Sequence, residues 1–285
     1  MVLDRRSQQW LVVVVALVVQ ATAVFGAEGP IIYADELGHA ATARYFGVGT
    51  EIQMLAAFSH FGYGFLLAPL TALFTEPDSF YRAATIVNSL TVVASAGLLH
   101  RVILIRFLGV GVGTATAAAI MYSLAPPLLI NTSIMWPESV LIAATTVILA
   151  ALLWFRSSGS RRSAVALGLS AVASYAIHPR ALVLLMVVMG ALVVLRAQRI
   201  VPLRSTLLAV GVMVVGYLVV GRVNDLVFEA LYTEGSILQT PGGLVTKILE
   251  QPDQWLGGLL GTAWYQILGT GGLLVFALLG WGSDL

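Results

Sequence analysis

Long, nearly uncharged apolar runs dominate this chain, and they leave few architectures open. Eight segments stand out, at approximately 10–26, 83–105, 111–130, 138–155, 163–178, 181–195, 206–221 and 258–281. About 20 apolar residues rising 1.5 Å each cross a hydrocarbon core of about 30 Å. Within lipid a helix satisfies its own backbone polar groups. The expectation is an all-α polytopic bundle of about eight spans. Composition agrees: 59% of the residues are hydrophobic and 10% charged, against roughly 25% charged in soluble domains. The mean hydropathy is +0.92. A soluble enzyme is excluded. So is a nucleic-acid binder, because 15 basic against 14 acidic residues leave a net charge of +1 and no basic face. With no cysteine, disulfide and thiolate chemistry are absent.

The fifth and sixth runs together cover 163–195, about 50 Å as one helix, too long for a single crossing. Proline disfavours helix at the residue before it, so a tight hairpin is expected at His178-Pro179-Arg180. The run 59–74 is short and carries Gly62, Gly64 and Pro69. Lys and Arg collect in short cytoplasmic loops, and this rule arbitrates. If 59–74 lies at the interface, 10 of the 15 basic residues fall on the cytoplasmic side and 12 of the 14 acids outside. Letting it span would reverse every later loop. The expected topology has both termini cytoplasmic, in a plasma (inner) membrane, with 59–74 an outer interfacial helix. The N-terminal run after Arg5-Arg6 reads as a retained anchor rather than a cleaved leader. Two outer segments, 27–82 and 222–257, are long enough for structure of their own. The expected organisation is a seven-span module over 1–221, an outer loop over 222–257, and an eighth span with the C-terminus over 258–285.

The first outer segment contains Tyr33-Ala34-Asp35-Glu36 and then an alanine-rich stretch expected to be helical through Tyr45. Asp35 and His39 are spaced i, i+4, and Glu36 and His39 i, i+3, so all three can share one site. The plain alternative is acids complementing a helix N-terminus. Glu36-x-x-His39 matches half of a di-iron motif, but no second Glu-x-x-His exists in the chain. On the outer side the cations His60, Arg44, Arg82, Arg180, Arg222 and Lys247 sit at headgroup depth. Arg180 is the strongest of them, on a short turn directly after His178-Pro179; snorkelling to the interface is its plain alternative. Glu138 opens a span beside Trp136-Pro137. The sequon at Asn131–Ser133 is read as incidental.

An acidic pair soon after the first span resembles the signature of the GT-C superfamily of membrane glycosyltransferases. That group includes protein O-mannosyltransferases, aminoarabinose transferases and actinobacterial arabinofuranosyl- and mannosyltransferases. The likeness continues through Ser59-His60-Phe61-Gly62-Tyr63-Gly64 and FLLAPLTALF, similar to the family's second juxtamembrane helix. It runs on through TEPDSFYRAATIVNSLTVVASAGLLHRVI, then Pro126-Pro127, then Trp136-Pro137-Glu138. It covers roughly residues 8–221, and it rests on the order and spacing of these motifs.

The resemblance implies a fold of GT-C type and a transferase that moves a hexosyl or pentosyl group from a polyprenyl-phosphate donor to a hydroxyl on a glycan, lipid or protein acceptor. It implies Asp35 as general base, paired with Glu36 as the catalytic acids. Arg180, His178, Arg82, His60 and Arg44 would meet the donor phosphate, and Glu138, His39 and Tyr63 would serve the acceptor or support the site. No cofactor is expected. A metal would need an acid-x-acid motif where this chain has only Glu138. Family members usually continue into further spans and an outer domain, so the chain reads as a truncated, fragmentary or minimal member. Two other readings stay open: a transporter or flippase for a lipid-linked saccharide, and a non-catalytic assembly subunit.

Overall fold

A computed structural model describes residues 4–27, 34–49 and 60–231, with single positions at 257, 260 and 261; the side chains of Arg5, Ala34 and Asp35 are not described. The chain divides into two compact units, Met1–Ser236 and Ile237–Leu285. The expected eighth span falls almost wholly outside the described residues.

Among its described residues the first unit is built of helices and short connections, with no strand. Its elements are α1 (Arg5–Gly26), α2 (Ala34–Val48), α3 (Phe61–Leu73), α4 (Pro77–Leu98), α5 (Val112–Ser123), α6 (Pro126–Thr132), α7 (Glu138–Ser158), α8 (Arg161–Ile177), α9 (Leu182–Ala197) and α10 (Leu203–Leu231). Helix α4 runs on without a break as a π-helical segment, Leu99–Phe107. Among the described residues, five helices are long and apolar enough to cross a membrane, or six if the bent pair α5–α6 counts as one. By length and composition this is a multi-pass membrane protein.

Local chemistry sets the boundaries. The Asp4 carboxylate accepts from the Ser7 N–H at 2.7 Å and caps α1. Gly159 adopts a left-handed φ of 55° and ends α7, and the Ser160 hydroxyl then caps α8. Helix α8 stops where proline demands it: His178 is extended, at φ −156° and ψ 140°, and Pro179–Ala181 forms one 3-10 turn into α9. The expected hairpin is there.

The third run, 111–130, is built as two helices, α5 and α6, which meet at a 49° bend. Pro126 and Pro127 bring no N–H groups, and Ala125 before them leaves the helical region at φ −59° and ψ 124°. The outer loop expected from residue 222 begins as helix, because α10 continues to Leu231. Asn224, Val227 and Leu231 are buried at helical spacing, so the same face stays packed past Arg222, Asp225 and Glu229.

Helices α1 and α4 are antiparallel. Arg101 Nη1 donates to Gln9 Oε1 at 2.7 Å at one end, and the Arg82 guanidinium lies 5.8 Å from the Phe25 ring centroid at the other. The chain between them therefore leaves and returns at the same end, and α3, with 13 residues or about 20 Å, does not carry it across. Helices α2 and α3 pack closely side by side. A Cβ at Gly47 would overlap Thr71 Oγ1 and the Ala68 carbonyl, and one at Gly64 would come 2.6 Å from Thr42 Cβ. Small residues allow such approach where apolar surroundings offer helices no other drive to associate. One buried cluster joins α1, α4, α5, α6 and α7 through Val12, Val92, Ile103, Ala119, Leu128 and Ala150. A second joins α2, α3 and the starts of α4 and α7 through Ala43, Tyr63, Leu67, Phe80, Met135 and Val140. Arginines 101, 106, 156, 161, 162, 196, 199 and 204 occupy the helix ends and turns at one end of the bundle. The second cluster lies toward the other end.

Candidate functional site

The site is assembled at that second end, from α2 upward. Glu36, in the first turn of α2, is 2% exposed. Its Oε1 accepts from the Tyr81 hydroxyl at 2.9 Å and from the Met135 N–H at 3.0 Å. One carboxyl thus ties α2 to α4 and to the turn before α7. His39, one turn on, is 4% exposed and meets the Tyr63 ring edge-on at 4.9 Å. Burial pushes its pKa down to about 4, so at neutral pH it is an uncharged imidazole.

Tyr63 is fully buried in α3. Its hydroxyl donates to Asn88 Oδ1 at 3.0 Å, and burial raises its pKa. The Asn88 amide completes its geometry by donating to the Ile134 and Trp136 carbonyls at 2.9 and 3.1 Å. Both donors and the acceptor of a buried amide are satisfied. The outcome is a rigid Ile134–Trp136 turn, which delivers Glu138 to the start of α7.

Glu138 Oε1 accepts from Arg180 Nη1 at 2.6 Å. The Arg180 side chain is 55% exposed and that of Glu138 23%, so the guanidinium has open faces. His178 holds the turn: its Nδ1 accepts from the Arg180 N–H at 3.1 Å. An accepting Nδ1 carries no proton, which leaves the neutral ring protonated at Nε2. The His178 pKa is pushed down to about 3, first by burial, then by the nearby positive charge of Arg180 and the neighbouring His39 and His60. His60, at the N-terminus of α3, meets Tyr175 edge-on at 4.8 Å, and Tyr175 stacks on Tyr217 at 5.0 Å. Asn224 Oδ1 accepts from the Phe61 N–H at 3.0 Å, so α10 satisfies the first turn of α3.

Seven of the residues singled out in the sequence therefore meet at one end of the bundle: Glu36, His39, His60, Tyr63, Glu138, His178 and Arg180. Arg82 stands apart over Phe25. It lines a cleft of about 110 Å³ with Asp78, Tyr81, Thr85 and Ser133, and Tyr81 connects that cleft to Glu36. Arg44 Nη2 reaches the Thr75 carbonyl at 3.5 Å, at the α3–α4 connection. Asp35 lies in α2, with its side chain outside the described residues, as is all of Lys247. Arg222 lies on α10. Among the described residues no group of three or more His, Asp or Glu could hold a metal ion.

Sequence reasoning missed Tyr81, Tyr175, Tyr217 and Asn224 as members of this network. Asparagines at 88 and 224 inside apolar helices were the available signal, since a buried amide needs partners. In chemical terms the site presents neutral imidazoles behind a carboxylate–guanidinium pair that keeps N–H donors open to an anionic oxygen. Comparison of the chain with protein-family models, curated proteins and solved structures finds no match.

Proposed function

We propose that this protein is a membrane glycosyltransferase of GT-C type, moving a sugar from a polyprenyl-phosphate donor to an acceptor hydroxyl. What supports the reading is the Glu138–Arg180 pair. Residues 42 positions apart meet at 2.6 Å, half-exposed, beside His178 and at the end of the bundle where α2 carries Asp35-Glu36. In this reading Asp35 takes the proton of the acceptor hydroxyl. The acceptor oxygen forms a bond to the anomeric carbon as the bond from that carbon to the donor phosphate oxygen breaks. The phosphate leaves with the electron pair and gains negative charge. Arg180 meets that charge with its remaining N–H groups. Glu36 is a positioning residue, holding α2 against Met135 and Tyr81, and Glu138 orients the guanidinium. The gathering of arginine at the opposite end supports a cytoplasmic location for that end and an outward-facing site in the plasma membrane.

Transfer of labelled sugar from a polyprenyl-phosphate donor in membranes tests this. Asp35→Asn is expected to abolish transfer at unchanged protein level and insertion; a full rate in that variant overturns the reading. The 49° break between α5 and α6 favours one other reading, a flippase for the same class of lipid, since broken helices recur in transporters. Tracer movement across sealed vesicles without a new glycosidic bond would select it.

A further inference from the structure

At the arginine-rich end, far from the site above, a groove of about 490 Å³ opens between α9 and α10. One stretch of its wall is apolar, with Met189, Val193 and Val210; the other carries Arg196, Arg199 and Thr206. No acid among the described residues lines it. Among the described residues neither guanidinium has a hydrogen-bond or ion-pair partner. From Met189 to Arg199 the wall extends about 15 Å. The flanking surface is apolar and exposed: Val193 is 66% and Leu207 60% exposed. Arg199 itself adopts a left-handed φ of 56°, a conformation costly for a residue with a side chain, directly after the last turn of α9.

We propose that this groove binds one anionic phospholipid, its phosphate between Arg196 and Arg199 and an acyl chain along Met189, Val193 and Val210. Charge complementarity selects an anionic headgroup, since the two guanidiniums face no acid among the described residues. The apolar wall selects a lipid over a soluble anion, because a free phosphate gains nothing from 15 Å of hydrocarbon surface, a length that about 10 residues of helix supply. The site is independent of the transferase chemistry.

The test is native mass spectrometry of the purified full chain in detergent, titrated with phosphatidylglycerol or phosphatidylcholine. Phosphatidylglycerol is expected to be retained about thirtyfold better, in line with two basic residues each contributing about 1 kcal/mol. Arg196→Gln with Arg199→Gln should abolish the preference, while Arg161→Gln with Arg162→Gln, at the same end but outside the groove, should leave it intact. Arg199→Gly guards against misfolding: glycine suits the left-handed φ, so thermal stability should hold or rise while phosphatidylglycerol retention falls several-fold. Equal retention of the two lipids, or a preference that survives the double substitution, would overturn the proposal. So would competition by inorganic phosphate as strong as that by the lipid, which would mark a soluble-anion site. Absence of any bound lipid would overturn it too.

Discussion

Arg180 donates to Glu138 at 2.6 Å across the α8–α9 turn and the start of α7, and the two ends of this bond are held by separate devices. The Ile134–Trp136 turn, fixed by Asn88, sets Glu138. His178 sets the Arg180 backbone. A half-exposed ion pair contributes little to stability, below about 1 kcal/mol, so so much support for it points to positioning. Arg180→Ala should therefore shift thermal unfolding only slightly, yet lower transfer by about a hundredfold or more, the scale for removing a donor to developing negative charge. Unfolding and transfer measured on the same preparation separate the two effects.

Glu36 behaves differently. Its carboxyl satisfies a buried backbone N–H and a phenol at once. Glu36→Ala strands both donors and should cost about 2–6 kcal/mol, at 1–3 per unsatisfied group. Glu36→Gln keeps an acceptor oxygen and should cost much less. Loss of transfer in the glutamine variant with intact folding would give Glu36 a chemical role instead.

Asn88 makes three side-chain hydrogen bonds at the site. Asn88→Asp keeps the acceptor for Tyr63 but turns an oxygen toward the Ile134 and Trp136 carbonyls, where the native amide donates. It should destabilise more than Asn88→Ala, by repulsion added to the lost bonds. Tyr63→Phe, losing one bond, should cost about 1 kcal/mol. Chemical unfolding of the three variants checks the order.

Acid should destabilise the bundle above the range where carboxylates protonate. The folded-state pKa of His178 is depressed to about 3 and that of His39 to about 4, from the ordinary 6.5. Below 6.5 the unfolded chain binds protons that the folded chain refuses, so stability is flat above that value and falls as pH drops toward 4. Each histidine contributes a slope of at most about 1.4 kcal/mol per pH unit. His178→Asn offers its Oδ1 where Nδ1 accepts from Arg180, and so should flatten the profile while keeping the turn. Unfolding midpoints between pH 4 and 8 measure it.

Much of the fold was legible where one residue type dictates local geometry. Pro179 announced the α8–α9 turn because it restricts His178, and the arginine runs marked one end of the bundle because short turns concentrate them. The bend before Pro126 was visible in the same way, but hydropathy averages over a run and does not register a break inside it. Charge misled at α10: Arg222, Asp225 and Glu229 read as loop, while Asn224, Val227 and Leu231 kept the opposite face packed. Of the site, the charged and histidine positions stood out in the sequence, while Tyr81, Tyr175, Tyr217, Asn224 and the pairings did not. Nothing in spacing says that Glu36 meets Met135, 99 residues away, or that Asn224 reaches Phe61, 163 residues away. Such pairings arise only when α2, α3, α7 and α10 are brought together.

In the proposed mechanism sugar leaves a phosphate in one displacement assisted by an aspartate base, and the anomeric configuration of the product reads that step. Purified protein in proteoliposomes, given a polyprenyl-phosphate sugar and a hydroxyl acceptor, should form a new glycosidic bond whose configuration is inverted relative to the donor, and Asp35→Asn should form none. A product of retained configuration, or donor that crosses the bilayer with no bond made, would rule this mechanism out.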